Sequence, residues 1–218
     1  MIRGYRTIQS PGETEEIIQK SRFIARSSPV ASEEEALAFI QQIRQSCKDA
    51  THNCYAYVVG ENSGIMRYSD DGEPGGTAGL PMMETIKQLQ LVNVAVVVTR
   101  YFGGILLGAG GLIRAYRSSC LSALQAGGIV QMEPTASIWC EVTYPWWDRV
   151  NHLLQSLPVK LENLSFGTTV CFTLLVRTTD QPAAIEKLTS LTEGQMEWLE
   201  EGETCQAWET TDTTSNAD

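Results

Sequence analysis

Apolar positions crowd most densely at VNVAVVVTRYF, residues 92–102, a nearly continuous β-branched stretch that predicts a strand buried on both faces. Upstream, IIQKSRFIARSSPV alternates loosely and reads as a strand or a bent hairpin arm ending at Pro29. Ser32, with Glu35 three residues on, forms a capping box for a helix bearing Ala36, Phe39, Ile40, Ile43 and Cys47 at helical spacing. HNCYAYVVG and IMRYSDD alternate around ENSG and predict a hairpin. After the polar loop GEPGGTAGLP, a helix is expected from Pro81 to Leu91, with proline in the first turn where its missing donor costs nothing. GLIRAYRSSCLSALQAGG is also helical, with Leu112, Ala115, Tyr116, Ser119, Cys120 and Ala123 on one face and Gly127 and Gly128 as its stop.

Beyond Pro134 the pattern becomes strand, helix, hairpin, helix, strand. SIWCEVTY is a strand, and Pro145 opens a helix carrying Trp147, Val150, Leu154 and Leu157. VKLENLSF and TVCFTLLVR pair about Gly167, Asp180 and Pro182 start a helix with Ile185, Leu188 and Leu191, and QMEWLEE closes the set. That order is the ferredoxin-like βαββαβ arrangement. The expected fold class is therefore α+β in two domains, residues 1–134 and 135–209, with 210–218 a disordered tail.

Composition changes the picture in two respects. The six cysteines are scattered without a C-x-x-C pair, so they read as reduced thiols rather than a zinc site or disulfide scaffold. No secretory signal or membrane-length apolar run is present, and a cytoplasmic location without membrane association is expected. Of the net charge of −10, residues 135–218 contribute 4 Lys+Arg against 13 Asp+Glu, whereas residues 1–134 carry 12 against 13. Duplex DNA is a poor partner for the acidic part. By contrast, Lys87, Arg100, Arg114 and Arg117 stand in a span, 85–132, without any acid.

Three constellations bear chemistry. TRYFGGILLGAGGLIRAY follows the apolar strand and contains Gly103, Gly104, Gly108, Gly110 and Gly111. Such a corner either points backbone N–H groups at an anion or lets a strand turn tightly into a helix; it matches neither a P-loop nor G-x-G-x-x-G. In SDDGEPGGTAG, Asp70, Asp71 and Glu73 suit a hard cation or an arginine, while Asp and Gly are also ordinary turn residues. An EF-hand loop is excluded, because the acids required after Gly72 are missing. His52 and Cys54 fall on one side of a strand and suggest a thiolate nucleophile or a half-buried pair, with no residue identifiable as the orienting third group. Tyr101 and Phe102 beside Arg100 offer stacking and cationic surface for single-stranded nucleic acid, or else core packing.

Four segments, KSRFIA, ATHNCYAYVVG, YSDDGEPGGTAGLP and VVVTRYFGGILLGAGGLIRAY, together resemble the IMPACT family in its own order over most of residues 17–130. The resemblance implies an N-terminal β-α fold like the second domain of a small-subunit ribosomal protein, and a C-terminal domain like domain V of elongation factor G. Its eukaryotic members inhibit activation of a stress kinase controlling translation initiation. For bacterial members, nucleic-acid or ribosome binding is the usual suggestion. Gly75 stands where a serine is common in the loop and Leu80 where a basic residue is frequent, and both changes remove groups that hold phosphate. On the same resemblance, no counterpart of the extra N-terminal domain of the eukaryotic proteins is expected, so their partner binding is not carried over.

The function expected is thus a non-enzymatic regulator of translation that binds RNA, the ribosome or a translation-associated protein. Its binding residues would be Arg100, Tyr101, Phe102, Gly103, Gly104, Arg114, Arg117, Asp70, Asp71, Glu73, Thr77 and His52, with no catalytic residue and no cofactor. The alternative is a phosphate-ligand-binding protein or Mg²⁺-dependent enzyme, the glycine corner holding the phosphate and Asp70, Asp71 and Glu73 the metal.

Overall fold

The computed structural model describes residues 3–60 and 64–208. In chain order the elements are β1 (Tyr5–Ile8), β2 (Gly12–Ile18), β3 (Ser21–Pro29), α1 (Glu33–Ser46), β4 (His52–Val59), β5 (Ile65–Ser69), α2 (Gly79–Gln88), β6 (Val94–Tyr101), α3 (Gly108–Ala126), β7 (Ile129–Val142), α4 (Tyr144–Gln155), β8 (Val159–Phe166), β9 (Val170–Arg177), α5 (Gln181–Leu191) and β10 (Glu197–Trp208). The fold is α+β with two sheets. The bend ENSG falls largely on 61–63 and the tail on 210–218, both outside the described residues.

Two compact units are distinguished, one comprising Tyr5–Gln131 and the other Met132–Trp208 with residues 3–4. In the first, an antiparallel sheet runs β2-β3-β6-β4-β5. Period-two alternation puts Val94, Val96 and Val98 against α2 and α3, and Ala95 and Val97 against α1. Both faces of β6 are thereby sealed, as its β-branched run requires. Ser32 caps α1 by accepting from Glu35 N, while the Glu35 carboxylate accepts from Ala31 N at 2.7 Å. A reciprocal cap of this kind satisfies two amides that the helix cannot.

Several boundaries differ from the pattern's expectation, among them the end of α2 at Gln88 and the run of β10 to Trp208. Helix α2 begins at Gly79, and α3 at Gly108 rather than Gly111. Pro134 does not break β7, which continues to Val142. The proline's carbonyl stays in use, accepting from Thr178 N at 3.0 Å.

In the second unit β7, β9 and β8 pair antiparallel in that order, and β10 pairs with β7. Alternate residues Val170, Phe172, Leu174 and Val176 meet Val150 and Leu154 of α4 and Ala184 and Leu188 of α5. This is the expected βαββαβ order.

Candidate functional site

Register decides what stands at the end of the N-terminal sheet. Arg100 on β6 pairs with Phe23 on β3 and with His52 on β4, so these three residues form a row one strand-end wide. Being in phase with Val96 and Val98, Arg100 turns toward the α3 side rather than to water. It is 5% exposed. Phe23 and Phe102 lie 5.4 and 5.5 Å from its guanidinium carbon. A charge so enclosed needs a counter-ion, and Glu73 supplies it: Arg100 Nη1 donates to Glu73 Oε1 at 2.7 Å. The second nitrogen, Nη2, donates to Ser21 Oγ at 3.2 Å.

Glu73 reaches this position because the loop after β5 folds back over the sheet end. Asp70 holds the loop shut, its carboxylate accepting from Gly76 N, Ala78 N and Gly79 N at 2.9, 3.1 and 2.8 Å. The Ala78 and Gly79 amides open α2, so the anion at that helix N-terminus is the protein's own. Asp71 accepts from Arg44 Nη2 and from Asn53 N, each at 2.7 Å. The Tyr116 hydroxyl, contributed by α3, donates to Glu73 Oε1 at 2.8 Å. Cys54 donates to Asp70 O at 3.0 Å. His52 Nδ1 lies 2.8 Å from Asp71 O, which can only accept, so that nitrogen carries the proton. The other, Nε2, is 3.9 Å from Glu73 Oε2.

Above this buried network lies a cleft of about 380 Å³. Thr51, His52, Gly72 and Pro74 form one wall, Leu106 to Ala109 the other, and the Arg100–Glu73 pair the floor. Phe102 stands on its rim, 45% exposed, and Leu106 is 84% exposed. The size and the apolar walls over a few polar groups suit a small ligand or a single nucleotide.

Several expectations are corrected here. Asp70, Asp71 and Glu73 do not converge on a cation, because each carboxylate is already committed to amides or to an arginine. Among the described residues no cluster of three or more His, Cys, Asp or Glu is arranged to hold a metal ion. Arg100 and Arg114 do not face solvent together: Arg100 is buried by its ion pair, while exposed Arg114 borders a neighbouring groove with Ile18 and Gln19. Arg117 is exposed and paired with Glu84 at 3.1 Å. Tyr101 points to the opposite face, its hydroxyl 3.3 Å from Asp49. Thr77 is buried and turns its hydroxyl to Pro74 O at 2.6 Å. Gly103 packs on the Lys20 and Ser21 backbone, whereas Gly104 is open with φ +83°. Cys54 is buried, and burial pushes its thiol up to about 12, away from the thiolate form a nucleophile needs.

Sequence reasoning assigned Tyr116 to core packing and did not single out Ser21 or Arg44. A tyrosine on an apolar helix face carries a hydroxyl that needs a buried partner, and that was the available signal. Ser21 offered none, because its role depends on the register of β3 with β6.

The cleft lies within residues 19–124, which match the model of the Impact N-terminal domain; residues 140–195 match a domain of unknown function, DUF1949. IMPACT family member YvyE of Bacillus subtilis is 42% identical over 203 residues, covering 93% of each chain. The chain belongs to the IMPACT family. Family member YigZ of Escherichia coli is 32% identical over 192 residues, 87% of this chain and 94% of that protein. A solved crystal structure of a hypothetical protein is similar with a TM-score of 0.59 and 30% identity, covering 91% of this chain and 98% of that one. Among the described residues no helix is long and apolar enough to cross a membrane.

Proposed function

We propose that this IMPACT family protein is a non-enzymatic, cytoplasmic regulator of translation that binds single-stranded RNA, including exposed ribosomal RNA, through the cleft of its N-terminal unit. The observation that carries the reading is the convergence of the SDDGEP loop and the RYFGG corner on one open cleft, with Phe102 at its rim. An exposed ring over a fixed guanidinium is a platform on which a base of any identity stacks. Exposed Lys20 and Arg114 at the glycine corner supply cations for the backbone. The buried state of Cys54 and the commitment of all three loop carboxylates weigh against a nucleophilic or Mg²⁺-dependent reaction. The link to translation rests on the family resemblance.

Ultraviolet crosslinking and affinity capture from lysate, with and without nuclease, test the reading. RNA crosslinked at or beside Phe102, released by nuclease and weakened by salt, is the expected result. A partner that persists after nuclease treatment replaces RNA with a protein; binding indifferent to salt rejects the phosphate contacts.

A further inference from the structure

Helix α3 runs for 19 residues from Gly108, and no side chain caps its N-terminus. Its first turn contains no acid, and Gly108, Ala109 and Gly110 are all exposed there. The two other helices of the same unit are served, α1 by Ser32 and α2 by Asp70. Uncapped amides and an unopposed dipole favour an anion at this end. Gly108 and Ala109 line the cleft.

A second observation in the same cleft is independent of the helix. Arg100, which lines it, is 5% exposed, and its Nε has no hydrogen-bond partner among the described residues. Enclosed guanidinium N–H groups are rarely left without an acceptor. Its two terminal nitrogens are occupied by Glu73 and Ser21, so the vacancy is at Nε alone. Phe102, 45% exposed, lies over this guanidinium, its ring centroid 5.5 Å from the guanidinium carbon. Glu73 also lines the cleft, but its charge is compensated by Arg100, so the floor does not repel an anion.

From these two features we propose that the cleft holds a phosphate group of a nucleotide, bound by the amides of Gly108, Ala109 and Gly110 at the start of α3. The base stacks on Phe102, whose outward rotation lets a phosphate oxygen accept from Arg100 Nε. The site rests on the RNA-binding reading and specifies it: the RNA contact is one nucleotide, held by phosphate and stacking without base-edge readout. Pyrimidine and purine monophosphates are therefore both accepted, while the nucleoside without phosphate is not.

Titration of the full-length ¹⁵N-labelled protein with inorganic phosphate, UMP, uridine and an oligouridine tests the site. Phosphate and UMP are expected to move the amide signals of residues 108–110, and uridine to leave them in place. Gly110→Asp is the decisive variant, because a Cβ there meets nothing nearer than Arg114 Nη1 at 3.8 Å. Its carboxylate serves the free amides internally, raising Tm while weakening UMP about tenfold through the dipole it neutralises. Loss of binding with gain of stability separates an occupied site from a damaged fold. Oligouridine binding that leaves these amides unmoved, or UMP binding undiminished in the variant, overturns the phosphate site and spares the RNA reading. UMP binding at these amides with no binding of the oligonucleotide establishes the site and overturns the RNA reading.

Discussion

Arg100 Nη1 lies 2.7 Å from Glu73 Oε1, with 6% and 2% of the two side chains exposed. The pair joins the end of β6 to the loop that precedes α2, and Tyr116 of α3 bonds the same carboxylate oxygen. Breaking it from one side leaves an uncompensated charge indoors. Arg100→Met is expected to lose about 3–5 kcal/mol of stability in urea unfolding. Adding Glu73→Gln should restore more than ~1 kcal/mol, since the neutral amide still accepts from Tyr116. A double variant no more stable than Arg100→Met would show that the pair's charge is not what matters.

Asp70 serves two amides at the start of α2, those of Ala78 and Gly79, and the Gly76 amide of the loop before it. Asp70→Ala should cost about 2 kcal/mol, the upper end for a lost cap, and Asp70→Asn less. Urea midpoints of the two variants check the order.

Neighbouring glycines of the RYFGG corner should respond unequally to alanine. A Cβ at Gly103 would overlap the Lys20 carbonyl, whereas Gly104 has open space and only its φ of +83° to resist substitution. Gly104→Ala is expected to cost about 1 kcal/mol and Gly103→Ala about 3 kcal/mol. Equal losses would refute the close approach of the corner to the β2–β3 turn.

Phe102 is a half-exposed rim residue, so its removal should affect binding more than folding. Phe102→Ala is expected to weaken RNA by about 1–3 kcal/mol, the worth of one stacked base, with a smaller loss of stability than Arg100→Met because only its cover of the Arg100 guanidinium is lost. Fluorescence anisotropy with a labelled oligonucleotide measures the loss.

Alkali should destabilise the protein through its buried thiols. Burial pushes Cys54 and Cys140 each up to about 12 and Cys120 higher still. An unfolded thiol ionises near pH ~8.5. Below that pH both states hold the proton and the stability is fully present. Above it the unfolded state releases protons that the folded state keeps, so stability falls as pH rises toward 12, by about 1.4 kcal/mol per pH unit for each thiol. Urea midpoints between pH 8 and 10.5 should decline, and Cys54→Ala should decline less steeply. In native protein at pH 8, alkylation should spare these three thiols and reach half-buried Cys171 and Cys205 first.

Much of the architecture is legible along the chain because it depends on short-range periodicity. The β-branched run of β6, the Ser32–Glu35 cap and the apolar stripe of α3 each state their own element, and the order of elements past Pro134 states the second unit. Boundaries were less legible: Gly108, Gly110 and Gly111 have no side chains to join an apolar stripe and Ala109 has only a methyl, so the first turn of α3 was invisible to periodicity.

The candidate site shows the same division. The sequence sufficed to single out Arg100, Phe102, Glu73 and His52, because charged, aromatic and glycine-flanked positions at a strand end are few. Their roles came from contacts between segments 27 and more residues apart in the chain, as in Arg100 with Glu73 and Tyr116 with Glu73. Whether a carboxylate binds a metal, caps a helix or neutralises an arginine depends on which partner lies nearest, and that is a matter of register and loop path. Local pattern settles which residues form strands and helices; long-range pairing settles which charges are spent on the fold and leaves the amides at the head of α3 uncapped.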